Sequence, residues 1–188
     1  NWSLMDSTGR NLFTPGNSKT TRMLFLCFLA GFLIGVNRHN DLIQAALASP
    51  GNEFRLGGHE APPSIISTYL GAEIQTILEN PKDFIAGRIK KASMVQFEDF
   101  VPAILHEMSD RNRTSPVAFT GNKFEFRMPG SSASLAFPIA VVNVAVADGL
   151  NTLYKQIETN HDDDKILSVI NRLIKDNSAV VYEGDNYD

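Results

Sequence analysis

Fourteen consecutive apolar or glycine residues, MLFLCFLAGFLIGV at positions 23–36, constrain this chain more than any other stretch. A helix that spans a bilayer needs about 20 such residues. This run is flanked by Arg22 on one side and Asn37-Arg38-His39-Asn40-Asp41 on the other. The polar opening from Asn1 to Arg22 does not resemble the charged start of a signal peptide. The run therefore predicts a helix buried in a core, entered after Thr20-Thr21 and continued toward Ala48 across a polar break. Burying such a helix on all sides takes a substantial domain. The chain has 188 residues, 43% hydrophobic and 20% charged, enough for a real core and too apolar for disorder. A net charge of −4 argues against a general nucleic-acid or anionic-membrane binder. The single cysteine, Cys27, leaves no internal disulfide framework and no cysteine-rich zinc site.

Other segments fall into recognisable periods. After Pro62-Pro63, the residues Ile65, Ile66, Tyr69, Leu70, Ile74, Ile77 and Leu78 follow helical spacing. This predicts a second helix ending near Asn80-Pro81. A short helix is expected around Phe97–Met108. From Lys123 to Met128 the period changes to two, with Phe124, Phe126 and Met128 on one face and Lys123, Glu125 and Arg127 on the other. Thr114–Thr120 is the expected partner, joined through a Gly121-Asn122 turn. Ala133–Leu150, rich in alanine and valine, predicts a helix packed on most sides and extending toward Ile157. A last helix over Lys165–Asp176 places Ile166, Leu167, Val169, Ile170, Leu173 and Ile174 on one stripe. Antiparallel strands flanked by long helices define an α+β fold class.

Charge is unevenly distributed. Residues 158–188 carry eight acidic side chains against Lys165, Arg172 and Lys175, a net −5, so the preceding chain is +1. Residues 158–188 accordingly read as an acidic helical extension, and Asp162-Asp163-Asp164 as a solvated run preceding a helix rather than a metal cluster. Gly16-Asn17-Ser18-Lys19-Thr20 has the end of a phosphate-binding loop but neither its first glycine nor the preceding strand. His39, His59, His106 and His161 have no metal-ligand spacing.

Two segments have the composition of a site. Gly51–Pro63 (GNEFRLGGHEAPP) places Arg55 and Glu60 on a glycine-containing loop ahead of an apolar run. Arg55 offers a planar fork for a carboxylate and Glu60 a base; a surface arginine and an acidic helix start explain the same pattern. The strand Lys123-x-Glu125-x-Arg127 sets a carboxylate between two cations, with same-face neighbours about 6.5–7 Å apart. On a cleft wall, Glu125 would hold a divalent cation while Lys123 and Arg127 held anionic oxygens. On a solvated strand the three would only alternate in charge. Arg113 precedes the expected partner strand and would reach the same cleft.

In their order, these segments resemble one known family. GNEFRLGGHEAPPSIISTYLG (51–71) followed by DRNRTSPVAFTGNKFEFRMPGSSASLA (110–136) is similar to the type III branch of glutamine synthetase, as is the opening NWSLMDSTGRNLFTPG (1–16). The resemblance runs from Asn1 to about Leu150 and is most specific between Asn112 and Ser132. It implies part of a glutamine synthetase/guanido-kinase-like catalytic domain. The implied reaction ligates ammonia to glutamate through γ-glutamyl phosphate, with ATP as phosphoryl donor and Mg2+ or Mn2+ in the site. By resemblance, Glu125 is a metal ligand, and Arg55 and Arg127 bind glutamate. Arg113 stabilises the transferring phosphoryl group, Glu60 closes the site and helps deprotonate ammonium, and Ser3 and Lys123 contact ATP.

The resemblance also implies a cytoplasmic homo-oligomeric ring, a dodecamer, with no nucleic-acid or membrane partner. The family's metal-binding histidine comes just ahead of the position of Asn1. The chain is therefore expected to be the C-terminal part of a catalytic domain, inactive alone. Two departures stand out: Gly57-Gly58-His59-Glu60 replaces the usual Gly-Ala-Asn-Glu, and Phe137-Pro138-Ile139 replaces Gly-Pro-Asn. The alternative is a non-catalytic relative that binds nucleotide or glutamate; the joint presence of Arg55, Glu60, Arg113, Glu125 and Arg127 speaks against it.

Overall fold

The computed structural model describes residues 1–47, 52, 66–89, 115–130 and 132–182. Two long helices form its centre. Helix α1 (Lys19–Arg38) starts at Ser18, which with Thr21 makes a reciprocal capping box: each side chain bonds the other's backbone N–H. This is the structural use of the Gly16–Thr20 segment. Ten consecutive-to-near residues of α1, from Phe25 to Val36, are buried. Burial pushes the Cys27 thiol up to about 11, so it serves as a core side chain. The expected polar break is a change of helix, with His39 between α1 and α2 (Asn40–Leu47).

Helix α5 (Ala136–Ile157) lies across α1. Pro138 falls in its first turn, where no intrahelical N–H donor is lost, so the departure at Phe137-Pro138-Ile139 still permits a helix start. The two helices touch through glycine. A methyl group on Gly149 of α5 would collide with the Gly31 carbonyl and sit 2.8 Å from the Gly35 nitrogen, both on α1. A methyl on Gly35 would in turn strike the Ala145 backbone. No side chain fits between the backbones there, which sets a close helix crossing. Both helices are long and apolar enough to cross a membrane by length and composition. Here α1 is largely buried against the rest of the fold, whereas α5 leaves Phe137, Val144 and Tyr154 exposed.

Among the described residues the sheet has four short strands in the order β3-β2-β1-β4: β1 (Thr68–Tyr69), β2 (Val117–Phe119), β3 (Phe124–Phe126) and β4 (Val181–Tyr182). β2 and β3 form the expected antiparallel hairpin around Gly121, whose φ of +88° suits glycine. β1, however, pairs parallel with both β2 and β4, so the sheet is mixed rather than antiparallel. Residues 1–5 extend it: Trp2 exchanges backbone hydrogen bonds with Phe124 at 2.7 and 2.8 Å.

The helix expected after Pro62-Pro63 is corrected. Residues 66–70 are extended around β1, and helix α3 begins only at Ala72 and ends at Glu79. Gly71, at φ +82°, breaks the backbone between them. The apolar spacing misled because Ile66, Thr68 and Leu70 also alternate: all three are buried, while Ser67 and Tyr69 are half-buried. Pro81 then opens the short helix α4 (Pro81–Ile85). The helix expected around Phe97–Met108 lies outside the described residues.

The core joins sheet to helices through aromatic rings. Trp2 packs against Phe13, Phe32, Phe124 and Phe126, and Phe32 of α1 stacks on Phe124 of β3 at 3.7 Å between ring centroids. Helix α6 (Asp163–Asp176) buries Leu167, Ile170, Leu173 and Ile174 in the same core. Its acidic start is a cap: the Asp162 side chain accepts from the Asp164 N–H, and Asp163 pairs with Lys19 at 2.6 Å. The chain then returns through a short 3-10 turn into β4.

Candidate functional site

The site is built by sheet register. Trp2, Phe124 and Phe126 point into the aromatic core, so alternation turns their neighbours to the opposite face. Lys123, Glu125 and Arg127 share that face of β3, and Ser3 follows Trp2 onto it beside Lys123. Four residues named from sequence thus occupy one face within the span of a hairpin. Arg55, Glu60 and Arg113 lie outside the described residues.

Within the face, charge and burial differ along the strand. Arg127 is held deep, its side chain 10% exposed, while Glu125 is 43% exposed. An Arg127 guanidinium nitrogen donates to Glu125 Oε2 at 3.3 Å. Only the carboxylate end of this pair is open to solvent, and the contact orients both groups. The planar guanidinium carries its N–H donors in a fixed fork, a shape that matches a carboxylate. The Arg127 N–H donates to the Pro116 carbonyl at 2.9 Å, carrying the hairpin ladder one residue beyond β3 and fixing where the side chain leaves the sheet.

At the turn end, the Ser3 hydroxyl lies 2.9 Å from Asn11 Oδ1 and 3.0 Å from the Asn122 carbonyl. Asn11 Nδ2 donates to the same carbonyl at 2.8 Å, and Asn11 Oδ1 also accepts from the Phe13 N–H. Ser3 and Asn11 therefore tie the N-terminal segment to the hairpin turn and set Lys123 at the edge of the face. Sequence reasoning missed Asn11, because nothing in its spacing links it to a turn 111 residues later. The loop carrying it is folded around Asp6, which accepts from the Thr8 hydroxyl, from the Arg10 and Thr8 N–H groups and from the Arg10 side chain. The Thr8 hydroxyl, then the Arg10 N–H, hold the Asp6 carboxyl down at about 2.

A hard divalent cation prefers several oxygen ligands. Glu125 supplies one accessible carboxylate, and among the described residues no three His, Cys, Asp or Glu side chains converge to complete a site. The donor type fits such an ion, but the described donor set does not hold one by itself. The face suits binding of an anion against Arg127 and Lys123, with Glu125 as one contact to a cation.

No family model matches the chain. Individual proteins do. It is 38% identical over its whole length to a glutamine synthetase of Bacteroides fragilis (strain YCH46) and 40% identical to a type-3 glutamine synthetase of Dictyostelium discoideum. A glutamine synthetase of Butyrivibrio fibrisolvens is 32% identical, again along the whole chain. The chain spans 26–27% of the length of these relatives. From its first residue to its last, the chain is thus similar to one stretch, about a quarter, of proteins named glutamine synthetase.

Proposed function

We propose that this chain forms part of the catalytic domain of a glutamine synthetase, which ligates ammonia to glutamate at the expense of ATP. The observation that carries the reading is the face shared by Ser3, Lys123, Glu125 and Arg127, in a chain alike throughout to enzymes of that name. Phosphoryl transfer leaves little covalent work for a protein; it needs charge placed beside the transferring group and the reactants held in line. Arg127 binds a glutamate carboxylate through its fork, and Lys123 meets anionic oxygens of ATP at the turn end. Glu125 contributes one ligand to a magnesium or manganese ion, which, when bound, offsets the charge of the triphosphate.

Arg55, Arg113 and Glu60 complete the assignment from the family likeness: Arg55 on glutamate, Arg113 on the phosphoryl group, and Glu60 as the closing group that takes a proton from ammonium. Closure also keeps water from the acyl phosphate, which would otherwise hydrolyse. The same likeness carries the guanido-kinase-like scaffold, the homo-oligomeric ring and the cytoplasmic location. The test is γ-glutamyl hydroxamate formation by the full-length natural protein from glutamate, hydroxylamine and ATP. Steady product formation that depends on all three substrates is expected; a folded protein that forms none contradicts the proposal.

A further inference from the structure

Ser3 and Lys123 face each other where the N-terminal segment runs along β3. Trp2 and Phe124 exchange both backbone hydrogen bonds, so Ser3 and Lys123 form the neighbouring non-bonded pair of an antiparallel ladder. The next bonded pair of that ladder would join Leu4 to Asn122. Leu4 is committed elsewhere: its carbonyl accepts from the Leu12 N–H at 2.9 Å. The Asn122 carbonyl is taken by side chains instead, the Ser3 hydroxyl at 3.0 Å and Asn11 Nδ2 at 2.8 Å. Asn11 stands in for the rung that Leu4 does not supply.

The other end of the same amide reaches the core. Asn11 Oδ1 accepts from the Phe13 N–H at 2.8 Å and lies 2.9 Å from the Ser3 hydroxyl. Phe13 is fully buried, its ring against those of Trp2, Phe32 and Phe124. One side chain thereby links the aromatic core to Ser3 and to the Asn122 peptide. Lys123 follows that peptide, and its Nζ lies 3.4 Å from Asn122 Oδ1. Gly121 and Asn122 are exposed, and Ser3 and Lys123 are half-buried, so this end of the face is open to solvent while its backbone is held.

Resting on the reading of Ser3 and Lys123 as ATP contacts, we propose that Asn11 is a positioning residue for the nucleotide. It holds the Ser3 hydroxyl and the Asn122–Lys123 turn at the spacing that ATP meets. A lysine on an untethered turn is ordered only when its ligand binds, at a cost to affinity; tethering the turn moves that cost to folding. The acid substrate is insulated from this effect. Arg127 leaves the opposite end of β3, where its own N–H is tied to the Pro116 carbonyl at 2.9 Å.

Asn11→Ser is the decisive variant. A serine hydroxyl keeps the local bond to the Phe13 N–H, as serine does more weakly in such turns, and is too short to reach Asn122. In the full-length natural protein KM for ATP is expected to rise about fivefold, the worth of one neutral hydrogen bond. KM for glutamate should stay within about twofold, a split that general loosening of the fold would not produce. In a protein already carrying Ser3→Ala and Lys123→Ala, adding Asn11→Ser should change KM for ATP by less than about twofold, because the groups it positions are gone. An unchanged KM for ATP in the single variant, an equal rise for both substrates, or an undiminished rise in the Ser3→Ala, Lys123→Ala background would overturn the proposal. Asn11→Thr repeats the test if the serine variant does not fold. Glu125→Ala, assayed in parallel, separates the two claims. If Glu125→Ala retains full activity, the glutamine synthetase reading itself falls. If Glu125→Ala is inactive and Asn11→Ser behaves as wild type, only the role of Asn11 falls.

Discussion

The α1–α5 crossing and the charged face of the sheet are built by opposite means. The helix pair is long, dry and pressed together at Gly35 and Gly149, where a single added carbon meets backbone, and at Gly31, where it meets the Leu150 side chain. The charged face rests on strands of two or three residues, and its groups are placed by register and by ties at their ends, such as Ser3 and Asn11 on Asn122. One region spends its residues on contact and tolerates no change of volume. The other keeps Lys123 and Glu125 partly open to solvent, where such contacts contribute little to stability. Stability and activity should therefore respond to different substitutions.

Gly149→Leu breaks the comparison most severely on the helix side and should leave no folded protein. Gly149→Ala should cost about 3 kcal/mol, the upper part of the range for overpacking, because the obstruction is the Gly31 carbonyl rather than a movable side chain. In a protein of this size that is a fall of roughly 6–12 °C in Tm, read by thermal unfolding. Arg127→Lys sharpens the other side: it keeps the charge but loses the fork. KM for glutamate should rise about tenfold, the cost of one charge-assisted hydrogen bond, with Tm within about 2 °C of wild type.

The smallest effect is set by pH at the end of the helix pair. His39 Nε2 and Arg38 both contact Asp148 Oδ2, at 2.9 and 2.8 Å, and Arg38 also reaches the Thr152 hydroxyl. His39 first, then Arg38, hold the Asp148 carboxyl below the usual carboxylate range. In acid the unfolded chain binds this proton before the folded one does. The contribution is thus complete above about pH 4, the unfolded value, and is lost as the pH falls through the lower folded value. Asp148→Asn should lower Tm slightly at neutral pH and make its decline below pH 4 shallower. The same slope in both proteins would show that the contact does not matter. Asp6 adds to the acid loss between about pH 4 and pH 2 and remains in both.

Legibility in the sequence follows the same division. α1, α5 and α6 were readable because 14 to 22 residues of apolar pattern average out local exceptions. The hairpin was readable from strict alternation and a glycine turn. β1 was not, since Ile66, Thr68 and Leu70 satisfy a period of two over too short a stretch to outweigh the helical spacing that continues through Ile77. Only the positive φ of Gly71 separates the two. Parallel pairing of β1 with strands 49 and 113 residues later leaves no local trace at all. The charged face was legible as chemistry, from Lys123, Glu125 and Arg127, but Asn11 reaches it only through long-range pairing.

The central claim is that the Lys123–Arg127 face does the chemistry while contributing little to the fold, and Glu125 tests it most directly. The measurement is γ-glutamyl hydroxamate formation by full-length Glu125→Ala beside wild type, with Tm recorded for both. Activity should fall below detection, and stability should change by no more than about 0.5 kcal/mol, as for a surface substitution. A folded Glu125→Ala protein that turns over as wild type does would contradict the account.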